Sequence, residues 1–488
     1  MPNLPSRSSL DGSGEPCSRE VVGATARREF LRTVGGGVGA LACEWLLSRE
    51  TRGAEGRAKG PFEAPRAKQV IEIFLTGGAS QCDLFDYKPL LEERHGQEWP
   101  PGKNMKLFES LPGQVLASPW KFRQYGESGR WVSDLAAPLG ECVDDISFVY
   151  SMTSKTNVHA PGMSLQATGF LLPGAPSAGA WISYALGELS SDWPAFVVLP
   201  DPAGLPTGGA NNWGAGCLSS RHQGLVVRPG GARPIHDLLP PAERPFDPVR
   251  EGAVRGTLRE LNELHRRGRE RDTRLEARMA AYELAGRLQA SAQPLLDLST
   301  EPRHIQELYG LDRPELAGFG RNCLAARRMI ERGVRFVQIW SGAAVQAGDW
   351  DSHRDLKREH AKLGPPMAHG TAALLKDLKQ RGLLDETVVL WTTEFGRMPC
   401  SQGSEGRDHN PEGYTCWLAG GGIRPGGAVG STDEWSYRAV EDLVTGYDLH
   451  ATLLHLLGLD HERLTVRHNG ADRRLTDVHG EVIDALLA

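Results

Sequence analysis

Short runs of β-branched and aromatic residues punctuate the chain. Val70-Ile71-Glu72-Ile73-Phe74-Leu75 reads as a strand, and Thr76-Gly77-Gly78 after it is a turn signal. Similar runs recur at Ile146 to Tyr150, Ala195 to Leu199, Val334 to Trp340 and Val388 to Thr392. Helical patterns separate several of them; in Ala372 to Arg381, for example, Leu374, Leu375 and Leu378 share one face. Strands alternating with helices predict a layered α/β structure with a mostly parallel sheet. Ligands of such sheets collect at the carboxyl ends of the strands, so the residues just after each run are the first candidates for chemistry.

Residues 246–295 break this rhythm. They are crowded with Arg and Glu, and Leu258, Leu261, Leu264, Leu275, Met279 and Tyr282 recur at helical spacing. The segment predicts a helix or helix pair inserted into the α/β domain and covering one side of its sheet. Its charge run reads as a solvated helix face rather than an interaction surface. Pro- and Gly-rich stretches at Pro200 to Gly216 and Pro229 to Pro248 read as long loops.

A chain of 488 residues exceeds the roughly 250–300 at which a single core stops growing, so one small domain is excluded. The formal net charge is −6 and no basic block stands out, which argues against nucleic acid as a partner. Glycine reaches 58 residues without periodicity, a sign of many tight turns. Eight cysteines without a C-x-x-C pair argue against a zinc ribbon or a thioredoxin-like site.

The first 60 residues stand apart as signal and linker, leaving residues 61–488 as the folded domain. Arg27-Arg28-Glu29-Phe30-Leu31 precedes a weakly apolar stretch from Thr33 to Leu47 that Glu44 interrupts. That stretch is too short for a membrane helix of ~20 residues, and no other segment is apolar enough to span a bilayer. Paired arginines before such a stretch resemble a twin-arginine export signal. The resemblance implies an exported protein of the periplasm or cell envelope, with the twin-arginine translocation machinery as a partner.

Candidate chemistry concentrates in the second half. Gly348-Asp349-Trp350-Asp351-Ser352-His353 follows one strand, and Asp349 and His353 are four apart, so a single turn brings a carboxylate and an imidazole onto one ion. Glu394-Phe395-Gly396-Arg397 follows the next strand, and Gly406-Arg407-Asp408-His409 adds another adjacent carboxylate and imidazole. Mixed imidazole and carboxylate donors suit a divalent metal of the zinc type better than calcium. The plainer alternatives are a strand-end turn in which Arg397 pairs with Glu394, and a turn capped by Asp408.

Leu374 to Gly396 resembles the helix, turn and strand that lead into the metal-binding end of a sulfatase, and Tyr447 to Gly458 is similar to a sulfatase segment near the C-terminus. Asp349-x-x-x-His353 has the spacing of two metal ligands in alkaline phosphatases and nucleotide pyrophosphatases. The arginine pair, Gly77 to Pro89, Asp349 to His353, Glu394 to Arg397 and Gly406 to His409 together look like an exported, sulfatase-like family of unknown function. The resemblance implies the α/β/α sandwich of alkaline phosphatase. It brings no established activity; the retained Asp349, His353, Glu394, Asp408 and His409 are what favour a metal-dependent hydrolase of phosphate or sulfate esters, with an ester or polysaccharide as the expected substrate.

Against that pattern three positions differ. His159 stands where a sulfatase carries its Cys or Ser nucleophile, Pro161 and Thr168-Gly169 falling at matching offsets. His159 is therefore a candidate ligand or covalent nucleophile, or a histidine bonded near a helix start. The first strand ends in Thr76-Gly77-Gly78 rather than Asp, leaving Asp83 to loop back to the ion or only to order the turn. Ser80 is either a nucleophile or a small residue that permits close backbone approach. Glu394-Phe395 replaces the Asp-His pair of the active enzymes, and His409 is placed to supply the missing imidazole. The expected metal set is thus Asp349, His353, Glu394, Asp408, His409 and Asp83, with His159 and Ser80 as candidate catalytic residues. Loss of the usual nucleophile favours a non-catalytic envelope binding module; a phosphate-headgroup transferase, which would use the same site but here lacks a membrane segment, is a third reading.

Overall fold

The computed structural model describes residues 61–100, 111–236, 238, 247–269, 273–344 and 349–488. The arginine pair expected to form an export signal lies outside the described residues. The central element is a nine-stranded sheet: β1 Gln69–Leu75, β2 Ile146–Thr153, β3 Phe196–Leu199, β4 Leu225–Val226, β5 Phe336–Ser341, β6 Thr387–Thr393, β7 Tyr414–Ala419, β8 Ala428–Val429 and β9 Val444–Thr445. Their order is β8-β2-β7-β6-β1-β5-β3-β4, with β9 also paired to β2. Only β7 runs against its neighbours β2 and β6.

Every residue of β1 is buried, as expected of a central parallel strand covered on both faces. Alternate side chains serve two cores: Ile71, Ile73 and Leu75 join one cluster, Val70 and Phe74 the other. Against the first face pack α5 Pro314–Glu331 and α6 Leu356–Gln380, through Phe319, Leu324, Leu374 and Leu378. Against the second pack α1 His159–Thr168, α2 Ala178–Leu186 and α7 Gly446–Leu456, through Met163, Trp181, Leu449 and Leu453. The result is the α/β/α sandwich with a mostly parallel sheet.

The expected insertion is a helix pair, α3 Pro248–Arg266 and α4 Thr273–Leu296. Leu288, Ala292 and Leu295 of α4 enter the first core, whereas Leu258, Leu261 and Leu264 of α3 are exposed. Helix α6 is longer than its leucine pattern suggests and runs through Pro365 and Pro366. Among the described residues no helix is long and apolar enough to cross a membrane.

Register sets up the site. Leu75 lies opposite both Ser341 and Thr393, so β1, β5 and β6 end level with one another. Thr76-Gly77-Gly78, Gly342 and Glu394 consequently leave the sheet side by side at its carboxyl edge.

Candidate metal centre

Four side chains from three segments meet at that edge: His159, Asp351, His353 and His409, with one donor atom of each lying within 4.8 Å of the others. His159 opens α1. Asp351 and His353 lie in the irregular loop before α6, which Trp350 N–H anchors to the Thr76 carbonyl at 2.8 Å. His409 sits on a short antiparallel pairing with Gly396-Arg397, opposite Arg397.

One oxygen is the focus. Asp351 Oδ1 lies 2.8 Å from His353 Nε2, 3.2 Å from His409 Nε2 and 3.3 Å from His159 Nε2. His353 Nε2 and His409 Nε2 are themselves 3.0 Å apart.

The other nitrogen of each ring faces an acceptor. His159 Nδ1 is 2.7 Å from Glu394 Oε1, His409 Nδ1 is 2.6 Å from the Asn157 carbonyl, and His353 Nδ1 bonds Gln402 Oε1. A ring that donates through Nδ1 has, in its neutral form, a lone pair on Nε2. With all three rings neutral, three such lone pairs would converge on one place beside a carboxylate. Acceptors of this kind on the far nitrogen orient metal-binding imidazoles.

Arg397, fully buried, holds the carboxylate from behind. Its Nη2 lies 2.6 Å from Asp351 Oδ1, its Nε donates to the Gly78 carbonyl at 2.9 Å, and Nη2 also reaches the Gly77 carbonyl. Gly77 and Gly78 have φ of +103° and +72°, and a Cβ on Gly77 would stand 2.5 Å from the Asp351 nitrogen. Only glycine lets the loop after β1 pass this close. Arg397 pairs with Asp351, not with the Glu394 of the strand-end-turn reading. Glu394 instead accepts the Gly77 N–H at 2.8 Å and bonds His159.

These contacts shift the protonation equilibria. Burial opposes ionisation of Asp351, but Arg397 and the three imidazoles outweigh it and hold the carboxyl well below the usual range. Burial also opposes charge on His159, yet bonds to Asp351 and Glu394 raise it to about 9. His409, buried and close to Arg397, is lowered to about 4.

The structure places the residues singled out in the sequence as follows. His353, His409 and His159 lie in the donor group. Glu394 stands directly behind it, bonded to His159. Asp349 lies close by, its Oδ1 accepting the Asp351 N–H at 3.3 Å, and burial together with Asp351 raises its carboxyl to about 6. The carboxylate within the group is Asp351. The four-residue spacing of Asp349 and His353 aligns two side chains only on a helix, and this segment is a loop. Asp408 accepts the His409 N–H at 2.8 Å and lies outside the donor group.

Asp83 and Ser80 are engaged elsewhere. Arg407 Nε and Nη2 donate to the two oxygens of Asp83 at 2.8 and 3.1 Å, the Ser80 hydroxyl bonds the same carboxylate, and all three residues are fully buried. Asp83 thus balances the Arg407 charge instead of looping back to the edge.

Asp351, Arg397, Gln402 and the Asn157 carbonyl were not singled out as site groups from sequence. Asp351-x-His353 was a usable signal, because alternate residues of an extended loop can face the same way. A backbone carbonyl such as that of Asn157 leaves no sequence signal at all.

Residues 67–487 match the family described as "Protein of unknown function (DUF1501)". No curated protein matches the chain. Among solved structures, the chain is similar to a lipoteichoic acid synthase, LtaP, from Listeria monocytogenes (8% identity, 85% of this chain and 78% of that one, TM-score 0.35). It is also similar to the PsFucS1 sulfatase from Pseudoalteromonas sp. (12% identity, 84% and 74%, TM-score 0.33). A TAB5 alkaline phosphatase variant with bound Mg is similar at 11% identity over 82% of this chain and 100% of that one, with a TM-score of 0.35.

Proposed function

The chain belongs to the DUF1501 family, and because that family's description assigns no reaction, we propose from the site itself that it is an exported, metal-dependent hydrolase of phosphate or sulfate esters. The observation that carries this reading is the convergence of His159, His353 and His409 Nε2 around Asp351, each ring turned by an acceptor at Nδ1. Three imidazoles and one carboxylate are a donor set for zinc or a similar divalent ion. Such an ion supplies Lewis acidity toward an ester oxygen and acidifies water.

Exposure supports chemistry over a purely structural role. The side chains of His353 and Asp351 are 25% and 27% exposed, whereas structural zinc sites are closed by their ligands. The chain's own residues divide the work. Glu394, Gln402 and the Asn157 carbonyl hold the rings, and Arg397 fixes Asp351 and offsets its charge. Gly77 and Gly78 leave space for the loop to pass. With Ser80 buried against Asp83 and His159 turned toward the ion site, attack by water fits better than attack by a chain nucleophile.

A histidine at the usual nucleophile position, with Ser80 bonded to Asp83, favours a second reading, a metal-holding binding module of the cell envelope without turnover. One experiment separates the two. The full chain is purified, its metal is quantified by plasma mass spectrometry, and hydrolysis of p-nitrophenyl phosphate and p-nitrophenyl sulfate is measured beside a His409→Ala variant. Bound metal with hydrolysis that the variant loses supports the hydrolase. Bound metal without hydrolysis supports the binding module, and absence of metal from protein supplied with zinc overturns both.

A further inference from the structure

A second cavity, of about 210 Å³, is lined by Tyr87, Lys88, Arg130, Trp131, Tyr150 and Ser431 and shares no side chain with the metal centre. Its volume is below the ~300–1,000 Å³ of sites for drug-sized ligands, so it suits a single ring.

Charge in the cavity is unbalanced. Asp86 is fully engaged: Lys88 Nζ lies 3.1 Å from its Oδ1, while the Thr432 and Ser436 hydroxyls donate to its Oδ2. Arg130 has no such partner. Its Nη2 donates to the Gly426 carbonyl at 2.7 Å, its Nε is buried without an acceptor, and it makes no ion pair among the described residues. A half-buried guanidinium without a counter-ion is costly unless an anion from outside meets it.

The walls add a preference of shape. Tyr87 and Trp131 pack on each other, with ring centroids 4.4 Å apart and planes at 39°. They therefore cover part of each other's faces and leave no parallel slot for a flat ring between them. A sugar needs one apolar surface for its C–H face and hydroxyls around it; Tyr150 and Ser431 line the same cavity, the Ser431 hydroxyl also donating to Glu441 Oε2 at 3.1 Å.

We propose that this cavity binds one pyranose residue carrying a carboxylate, a sugar of the uronic acid kind, with its acidic group on Arg130 and its ring against Trp131. The site does not depend on the metal-centre reading.

Isothermal titration of the full, metal-loaded chain with methyl β-glucuronide and methyl β-glucoside tests it. The glucuronide binds at least about tenfold more tightly, the size of one charge-assisted hydrogen bond. Arg130→Gln erases that preference and Arg130→Lys keeps part of it. Trp131→Ala weakens both sugars, and a circular dichroism spectrum unchanged from the parent assigns the loss to contact rather than to unfolding. Chelating the metal leaves binding unchanged, so failure here and failure of the hydrolase reading are distinguishable. The proposal is overturned if the glucuronide does not bind, if both sugars bind wild type equally, if Arg130→Gln retains the preference, or if benzoate binds more tightly than the glucuronide.

Discussion

His159 Nδ1 lies 2.7 Å from Glu394 Oε1, and the same oxygen accepts the Gly77 N–H at 2.8 Å. One buried carboxylate thereby joins the start of α1, the loop after β1 and the end of β6. It also fixes which nitrogen of His159 faces the ion site, so its role is positioning. Glu394→Gln is expected to lower zinc affinity about 10- to 100-fold, the usual effect of losing the group that orients a ligating histidine. Competition with a chromogenic chelator measures this, and an unchanged affinity would remove Glu394 from the site.

His353 is the most exposed of the three imidazoles, so its removal tests the site with little harm to the core. His353→Ala should lower bound metal and ester hydrolysis together, because the ion's retention and its Lewis acidity depend on the same ligand. Hydrolysis surviving the loss of metal would sink the proposed mechanism.

Ser80 and Asp83 should behave as structure. Ser80→Ala is expected to cost on the order of 1 kcal/mol, one buried hydrogen bond, and to leave metal content and any hydrolysis intact. Arg407→Met strands the Asp83 carboxylate in a fully buried position and should destabilise the fold by roughly 3–5 kcal/mol. Urea unfolding measures both. A Ser80→Ala variant that folds normally but loses hydrolysis would restore Ser80 as a nucleophile.

How much of this the sequence disclosed depends on the range of the interaction. Five strand cores and the helix pair were legible, since continuous apolar runs and helical spacing are local consequences of burial on two faces. The antiparallel strand Tyr414–Ala419 was not: Thr415 interrupts its apolar run, and its direction depends on pairing with β2 and β6 far away in sequence. At the site, placing candidates after strands located the right loops. Choosing Asp349 over Asp351 assumed helical spacing in a segment held by contacts to Thr76 and to Arg407. The partners of Asp83 and Arg397 lie some 324 and 46 residues away and only the fold brings them together.

The proposed export rests on Arg27 and Arg28, outside the described residues. Replacing both with Lys should leave the chain in the cytoplasm of its host, because the pathway reads the guanidinium pair and not charge alone. Fractionation and immunoblotting report the location, and unchanged export of the double variant would rule out the twin-arginine route.

Glu72 offers a test of the core that is independent of the metal. It lies on β1 facing the Val70–Phe74 side, 3% exposed, and accepts a hydrogen bond from Gln338 Nε2 at 2.7 Å. Burial raises its carboxyl to about 7, and the Gln338 bond offsets only part of that shift. The folded protein therefore holds a proton there that the unfolded chain releases near its ordinary value of 4.5. The resulting stability is fully present below that value and is lost as pH rises through about 7, a difference of roughly 3 kcal/mol by linkage. Glu72→Gln keeps the size of the side chain and removes the titration. Between pH 5 and pH 8 the parent should lose stability to urea relative to Glu72→Gln, by an amount approaching that figure. Equal pH dependence in the two proteins would mean that Glu72 is already ionised in the fold and that its burial is compensated by a group other than Gln338.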